Sequence, residues 1–209
     1  MKLYVEGGGD TNALRTACRE GFTSFITKAG LVKRPRVVAC GSRRDAFESF
    51  CTAIAVGEEA MLLVDSEAPV PANCQAPANN LAAWTPWVHL KQRPGDGWDM
   101  PAGSTDTDCH LMAQCMETWF LADRPALSVF FNPGFRSNEL PAAVNPTESV
   151  AKADVYNALK LATRECKRKA SYGKGAHSFK LLAAIEPTKV MAASPWAKRF
   201  IECLKAKMN

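Results

Sequence analysis

The sequence predicts an α/β protein whose core is a parallel sheet flanked by helices. Two observations favour this class: short apolar runs alternate with helical patterns in the first 65 residues, and glycine, serine or aspartate turns separate them. Strand–helix–strand units at this spacing need right-handed crossovers, which make neighbouring strands parallel. The 209 residues, 47% of them hydrophobic, suffice for a core without disulfides or a structural metal.

Three strands follow from short apolar segments that end in turns. We expect them at residues 2–5, 36–40 and 60–64. The first connecting helix has Asp10 or Thr11 as its cap and ends near Gly30, because glycine suits the position after a helix. The second begins at Ser42 with Asp45 three residues later, a pattern typical of helix starts.

The second half of the sequence is less regular, with long segments rich in Pro, Gly and Asn. We expect a fourth strand at residues 87–90 and helices at residues 109–122, 147–169, 178–185 and 195–207. The interpretation is a sheet core in residues 1–90 and a loop-rich, helical extension in residues 91–209, packed together as one unit.

The net charge of +5 is unevenly distributed. Residues 1–150 carry 13 basic and 17 acidic residues (net −4), whereas residues 151–209 carry 13 basic and 4 acidic residues (net +9). A basic region can meet phosphate, and an acidic region can hold a divalent cation. The alternative is that the lysines and arginines only solvate the C-terminal helices.

Several classes of protein are disfavoured. There is no run of about 18 apolar residues and no pattern of a secretory signal, so we expect a cytoplasmic protein without a membrane span. None of the eight cysteines forms a Cys-x-x-Cys pair, and we interpret them as core residues of a reducing compartment. Gly7, Gly8 and Gly9 lack the remainder of a phosphate-loop motif and indicate a tight turn.

Three acidic residues stand just past predicted strand ends. Glu6 follows the first strand, and Asp65 and Glu67 follow the third. The carboxyl ends of parallel strands meet at one edge of the sheet, where α/β proteins place their sites. An extended backbone would point Asp65 and Glu67 to the same side, since they are two residues apart. Converging carboxylates repel one another without a cation, and their hard oxygens favour Mg²⁺ or Mn²⁺.

The glutamate after a first strand, together with an acidic pair after the third, resembles the Toprim fold of topoisomerases, primases and OLD-type nucleases. Along nearly the whole chain the sequence is similar to a small bacterial Toprim-like family of unknown function often encoded beside an AAA- or ABC-type ATPase. The segments that carry this resemblance are residues 3–8, 63–67, 116–123 and 172–179. It implies a nuclease-like subunit of an anti-phage defence system, with Glu67 replacing the aspartate usual in the acidic pair.

Five further residues are candidates for the site. Glu117 lies in an apolar stretch and could add a metal-binding carboxylate; alternatively it faces solvent or pairs with an arginine. Arg43 and Arg44 begin a helix, where cations oppose the helix dipole, so a phosphate or a carboxylate nearby could compensate them. Lys174 resembles the late lysine of OLD-type nucleases, and His177 could move a proton. In the alternative interpretation, Lys174 is a surface lysine and His177 lies beside a helix cap.

The leading hypothesis is a Mg²⁺- or Mn²⁺-dependent nuclease that acts on nucleic acid, DNA rather than RNA, with an ATPase partner. Glu6, Asp65, Glu67 and Lys174 would be its catalytic residues, and the first three with Glu117 its metal ligands. Arg43, Arg44, Lys174 and His177 would contact the nucleic acid. The rivals are a non-catalytic, partner-binding subunit of an ATPase complex and a phosphatase for a small substrate.

Overall fold

The computed structural model describes residues 1–208 and contains one sheet of four parallel strands in the order β2-β1-β3-β4. The strands are β1 Lys2–Val5, β2 Arg36–Ala39, β3 Ala60–Asp65 and β4 Cys109–Met112. Helices flank the sheet, and they dominate the chain after β4. The predicted α/β class with a parallel sheet is therefore confirmed.

Eight α-helices accompany the strands within these residues. They are α1 Asn12–Lys28, α2 Arg43–Ala55, α3 Pro86–Gln92, α4 Arg124–Phe131, α5 Lys152–Thr163, α6 Lys174–Ala184, α7 Pro187–Ala193 and α8 Pro195–Met208. A 3₁₀ helix, Met116–Asp123, links β4 to α4. None of the helices described is both long and apolar enough to cross a membrane.

The predicted helix starts are confirmed at atomic detail. Thr11 caps α1 by accepting a hydrogen bond from the backbone N–H of Leu14 at 3.2 Å. Ser42 and Asp45 form a reciprocal capping box at the start of α2. Such caps satisfy backbone donors that the helix itself leaves unpaired, and each stabilises its helix by about 1 kcal/mol.

The sheet lies between two apolar clusters, which bury both of its faces. All six residues of β3 are buried. Leu3 and Val5 of β1 face a cluster that includes α1, α6 and the last helix. Tyr4 faces the other cluster, which contains α2, α3 and Trp196. Each fully buried large side chain in these clusters contributes about 1.5–3 kcal/mol, and β1 and β3 are thereby fixed at the centre of the sheet.

The predicted fourth strand was wrong. Residues 87–90 lie in α3, where Trp87 and Leu90, three residues apart, are both buried, and Pro86 occupies the first turn. The true fourth strand is β4, which pairs with β3 from Leu62↔Cys109 to Asp65↔Met112. β4 comes from the part of the chain assigned to the extension, and the division at residue 90 stays a prediction.

Three predicted helices have different boundaries. The helix expected at 109–122 is instead β4 followed by the 3₁₀ helix, and almost every residue of both is buried. Residues 147–169 contain a shorter helix, α5, which is preceded by a separate 3₁₀ turn at Thr147–Ser149. The helix expected from residue 178 begins earlier, at Lys174. The last predicted helix is confirmed as α8.

Candidate metal centre

Glu6 follows β1 at the edge where the parallel strands end. Its backbone N–H donates to Leu63 O at 3.1 Å, which extends the pairing of β1 with β3. Its carboxylate accepts a hydrogen bond from the backbone N–H of Asp65 at 2.9 Å. The chain then turns at Gly7, whose φ is +122° and where a Cβ would lie 3.0 Å from Phe179. The glycine loop thus makes the turn that leaves Glu6 facing the end of β3.

Asp65 and Glu67 are placed by the end of β3 and by the chain after β4. Asp65 is buried, and its Oδ1 accepts a hydrogen bond from the backbone N–H of Met116 at 2.9 Å. Glu67 has a φ of +64°, a left-handed conformation, and its backbone N–H donates to Gln114 O at 2.9 Å. The expected extended backbone was therefore wrong at Glu67. A non-glycine residue there costs about 1–3 kcal/mol, and such strain clusters at functional sites.

The three carboxylates converge as predicted. One oxygen from each of Glu6, Asp65 and Glu67 lies within 4.8 Å of the others. Asp65 is almost inaccessible at 3% side-chain exposure, whereas Glu67 at 22% opens toward solvent. Hard oxygen ligands of this kind suit a divalent cation, and an open side leaves room for water ligands. The group can therefore hold a metal ion.

Burial raises the pKa of both Glu6 and Asp65 above the range of ordinary carboxyl groups. The negative charge of Asp65 raises the pKa of Glu6 further, while the ammonium of Lys152 opposes the rise at Asp65. A carboxyl group with a raised pKa keeps its proton to a higher pH. A cation bound between these groups would displace that proton, so binding and proton release are coupled.

Three basic side chains surround the carboxylates. Lys152 Nζ lies 2.6 Å from Glu67 Oε1 and 3.2 Å from Asp65 Oδ2. Lys174 Nζ is 3.9 Å from Asp65 Oδ2, and Arg43 Nε is 3.5 Å from Glu6 Oε2. Burial lowers the pKa of both lysines, but the carboxylates outweigh it and raise the pKa of each. Three carboxyl groups therefore face three basic side chains.

Sequence reasoning missed Lys152. It lies 85 residues from Glu67 along the chain and belongs to no motif. One signal was nevertheless present: Lys152 is the first residue of α5, where a cation opposes the helix dipole. The same signal led to Arg43, the first residue of α2. Both residues turn out to be compensated by carboxylates of the site.

The two arginines predicted to contact nucleic acid differ in their surroundings. The Arg43 side chain is only 12% exposed; it donates to Asp65 O at 3.0 Å and pairs with Asp96 at 2.5 Å. Its guanidinium also stacks over the ring of Trp98. Arg44 is 81% exposed and pairs with Glu48 one helical turn away. Arg43 therefore holds the end of β3 and Glu6 in place through these contacts. Arg44 is exposed to solvent and pairs with none of the three carboxylates.

Glu117 is fully buried and lies outside the group of three that can hold a metal. Its carboxylate accepts hydrogen bonds from the hydroxyls of Tyr156 and Tyr172, both at 2.9 Å, and from Ser178 at 3.3 Å. Neither expected alternative, a solvent-facing residue or an arginine partner, describes it. The hydroxyl groups compensate the buried charge, and they tie the 3₁₀ helix to α5 and α6.

Lys174 and His177 lie in the first turn of α6 rather than in the expected loop. The Lys174 side chain is half exposed and reaches the carboxylates. His177 is buried; its Nδ1 accepts a hydrogen bond from the backbone N–H of Gly173 at 3.1 Å, and its ring packs against Phe131. Of the two, only Lys174 belongs to the site, and the interpretation of His177 as a helix-cap neighbour describes it better.

The length of one sequence match decides the family. Residues 5–205 match a domain of unknown function, DUF4276, and this range includes all three carboxylates and both lysines of the site. The chain belongs to the DUF4276 family. No curated protein and no solved structure matches it. Membership of DUF4276 carries no activity with it, so the function is argued from the site itself.

Proposed function

We propose that this DUF4276 protein is a Mg²⁺- or Mn²⁺-dependent phosphodiesterase that cleaves nucleic acid. The observation that carries the proposal is the convergence of Glu6, Asp65 and Glu67 within 4.8 Å at the carboxyl edge of a parallel sheet. A divalent cation held there would activate water and neutralise charge on a phosphoryl group. The resemblance of the same residues to the Toprim pattern supports this reaction class.

Lys174 is the residue best placed to meet the phosphate. Its side chain is 54% exposed and its ammonium is only 3.9 Å from Asp65, so it can contact a ligand without leaving the site. The ammonium would stabilise the negative charge that develops on the phosphoryl oxygens. Lys152 is more enclosed, at 22% exposure, and is already held by two carboxylates.

The segment of the chain that precedes Lys174 is basic, which supports nucleic acid as the substrate. Residues 160–174 contain six basic residues and one acidic residue. Lys160, Arg164, Lys167 and Arg168 are exposed. A small substrate needs no such extended positive surface, whereas a phosphate backbone does, and its affinity would fall steeply with salt. We propose DNA before RNA, in the cytoplasm, with an AAA- or ABC-type ATPase as partner in anti-phage defence; these last points rest on the family resemblance.

One observation favours a second candidate function. Arg43, Lys152 and Lys174 already pair with the three carboxyl groups. An internally compensated cluster is stable without any metal, as a purely structural ion network would be. In that case the protein would be a non-catalytic subunit that binds the ATPase.

Nuclease assays separate these candidates. Purified protein is incubated with plasmid, single-stranded DNA and RNA in Mg²⁺ or Mn²⁺, alone and with an ATPase of the kind proposed as its partner. Glu6→Gln and Asp65→Asn keep the acceptors for the Asp65 and Met116 N–H groups, so they remove charge with little change to the fold. Glu20→Gln, on the exposed face of α1, is the control. Of the three variants, we expect only the control to cleave nucleic acid as the wild type does. Equal cleavage by all three variants would refute the metal site.

A further inference from the structure

A cavity of about 300 Å³ opens beside the carboxylates, between the glycine loop, α1, β4 and α6. Glu6, Asp65 and Lys174 are part of its lining. Its volume is at the lower limit of small-molecule sites, which span about 300–1,000 Å³. It has room for one ring system with its attached groups, and none for a duplex.

The rest of the cavity wall is apolar. Four apolar side chains line it: Leu14 of α1, Met112 of β4, Met116 of the 3₁₀ helix and Phe179 of α6. Leu14 is half-buried and the other three are buried, so the protein holds this surface in place without a ligand. Thioethers make favourable contacts with aromatic rings, and a phenyl ring offers a face or edge for stacking. Such a wall suits a flat, weakly polar ring and offers little to a sugar or a second phosphate.

Resting on the proposed function, we propose that this cavity receives one unpaired nucleobase of the nucleic acid whose phosphate lies at the carboxylates. A nucleotide needs an apolar slot for its base and a cationic site for its phosphate. The lining of this cavity supplies both, since it combines apolar side chains with Lys174 and with Glu6 and Asp65, two of the carboxylates that could hold a cation. A base inside a duplex is stacked and paired, so only a single strand, an end or an unstacked base can enter. The site would therefore select unpaired substrate.

Gly175 gives a way to close the cavity without disturbing the core. It lies in the first turn of α6, its φ is not positive, and a Cβ there would meet only Leu14 side-chain atoms at 3.6 and 3.8 Å. Gly175→Leu therefore points its side chain toward Leu14, into the cavity. Ala176→Leu, at the next and exposed position, adds similar bulk outside it and is the matched control. Leu14→Trp fills the cavity from α1 as a second variant.

The test measures binding by calorimetry with adenosine 5′-monophosphate and ribose 5-phosphate, in Ca²⁺, for the full chain and each variant. We expect the nucleotide to bind about tenfold or more tightly than the sugar phosphate, in line with base-stacking strength. Gly175→Leu and Leu14→Trp should lose at least that factor, and Ala176→Leu should keep it. Thermal melting checks that each variant is folded. Equal binding of the two ligands, no nucleotide binding, or full binding by both cavity-filling variants would overturn the proposal.

Cleavage then separates this inference from the proposed function. With oligonucleotides, Gly175→Leu should slow the cleavage of a single strand. Cleavage beside an abasic residue, which has no base to enter the cavity, should be slow in the wild type and unchanged in the variant. If base-dependent nucleotide binding is found but no substrate is cut, the cavity proposal stands and the nuclease proposal fails. If cleavage is found with the same rate on paired and unpaired strands and in Gly175→Leu, the nuclease stands and the cavity proposal is wrong.

Discussion

Lys152 Nζ contacts both Glu67 Oε1, at 2.6 Å, and Asp65 Oδ2, at 3.2 Å, two of the carboxylates that could hold a metal ion. Its side chain is 22% exposed, so water screens this ion pair less than a surface pair. The ammonium already pairs with both oxygens. A divalent cation that binds Asp65 and Glu67 together therefore competes with Lys152 for them.

Lys152→Met should tighten the binding of Mn²⁺ or Mg²⁺. The competing ammonium is removed, and two carboxylates are left without their nearest cation. At the effective dielectric of such sites one ion pair at 4 Å is worth about 4 kcal/mol, of which solvation offsets the larger part. We expect a gain of about tenfold in affinity, equal to about 1.4 kcal/mol, measured by calorimetry. Without metal, the same variant should melt at a lower temperature than the wild type.

Lys160→Met is the control, because Lys160 lies on the same helix, is exposed and has no ion-pair partner among residues 1–208. It should change neither the affinity for metal nor the melting temperature. Metal binding by Lys152→Met that is no tighter than that of the wild type would show that the ammonium does not compete for the two oxygens.

Tyr172→Phe should destabilise the fold by about 2 kcal/mol, since the Tyr172 hydroxyl donates to the buried Glu117 carboxylate at 2.9 Å. Hydrogen bonds to charged groups contribute about 1.5–3 kcal/mol, and the buried acceptor is left short of one donor. Chemical denaturation measures the effect. Tyr4→Phe is the control: Tyr4 is buried too, but its hydroxyl has no partner among the described residues. An equal loss of folding stability in both variants would contradict the stabilising role of the Tyr172 hydroxyl group.

The first three strands and their helices could be predicted from the sequence because each has a local signal. The helix starts are indicated by their capping residues, which are Thr11 for α1 and Ser42 with Asp45 for α2. The apolar runs of β1 and β3 are bounded by turns. β4 lacks such a signal. It is buried on both faces, and the 3₁₀ helix that follows it is almost as fully buried. The sequence there shows neither the alternation of apolar and polar residues typical of a half-exposed strand nor the apolar stripe typical of a surface helix.

The residues of the site also differ in whether the sequence predicts them. Glu6, Asp65 and Glu67 were predictable because parallel strands bring their carboxyl ends to one edge, whatever the rest of the chain does. Lys152 was missed because its one signal, a cation at the first residue of α5, does not indicate a partner; the packing of α5 against the 3₁₀ helix brings it to the site. His177 shows the converse: its residue type fitted a catalytic role, but its position on α6 turns it into the core.

Gly21→Ala should destabilise the protein although alanine favours helices. A Cβ at Gly21, in the middle of α1, would lie 2.7 Å from the backbone oxygen of Phe179 in α6. The helices must separate to admit it, at a cost of about 1–3 kcal/mol, against a propensity gain of about 0.5–1 kcal/mol. Gly175→Ala is the control, since its Cβ meets only the Leu14 side chain at 3.6 Å.

Because α6 carries Lys174, Gly21→Ala should also weaken the contact of this lysine with Asp65. We expect a lower melting temperature together with slower cleavage of nucleic acid, whereas Gly175→Ala should melt at or above the wild-type temperature. A stabilised Gly21→Ala variant would contradict the close packing of α1 on α6.

Glu148 fastens the segment before α5 to the start of α8. Its Oε1 accepts hydrogen bonds from the hydroxyl of Ser194 and from the backbone N–H of Trp196 at 2.9 Å. Burial raises the pKa of Glu148 from 4.5 to about 7, although both hydrogen bonds oppose the rise. Between these two pH values the unfolded chain has lost the proton and the folded chain keeps it. Deprotonation therefore favours unfolding, and the Glu148 contribution to stability falls as the pH rises through this window.

Glu148→Gln should remove that dependence, because a glutamine cannot lose a proton and its Oε1 still accepts from Ser194 and Trp196. Relative to the wild type, the variant should gain stability between pH 4.5 and about 7, by at most about 3 kcal/mol, and the difference should be constant above that range. Urea denaturation at steps of half a pH unit measures it. Glu6 and Asp65 titrate in both proteins and cancel in the difference. A difference that stays the same from pH 4.5 to pH 8 would show that Glu148 is ionised in the folded protein throughout.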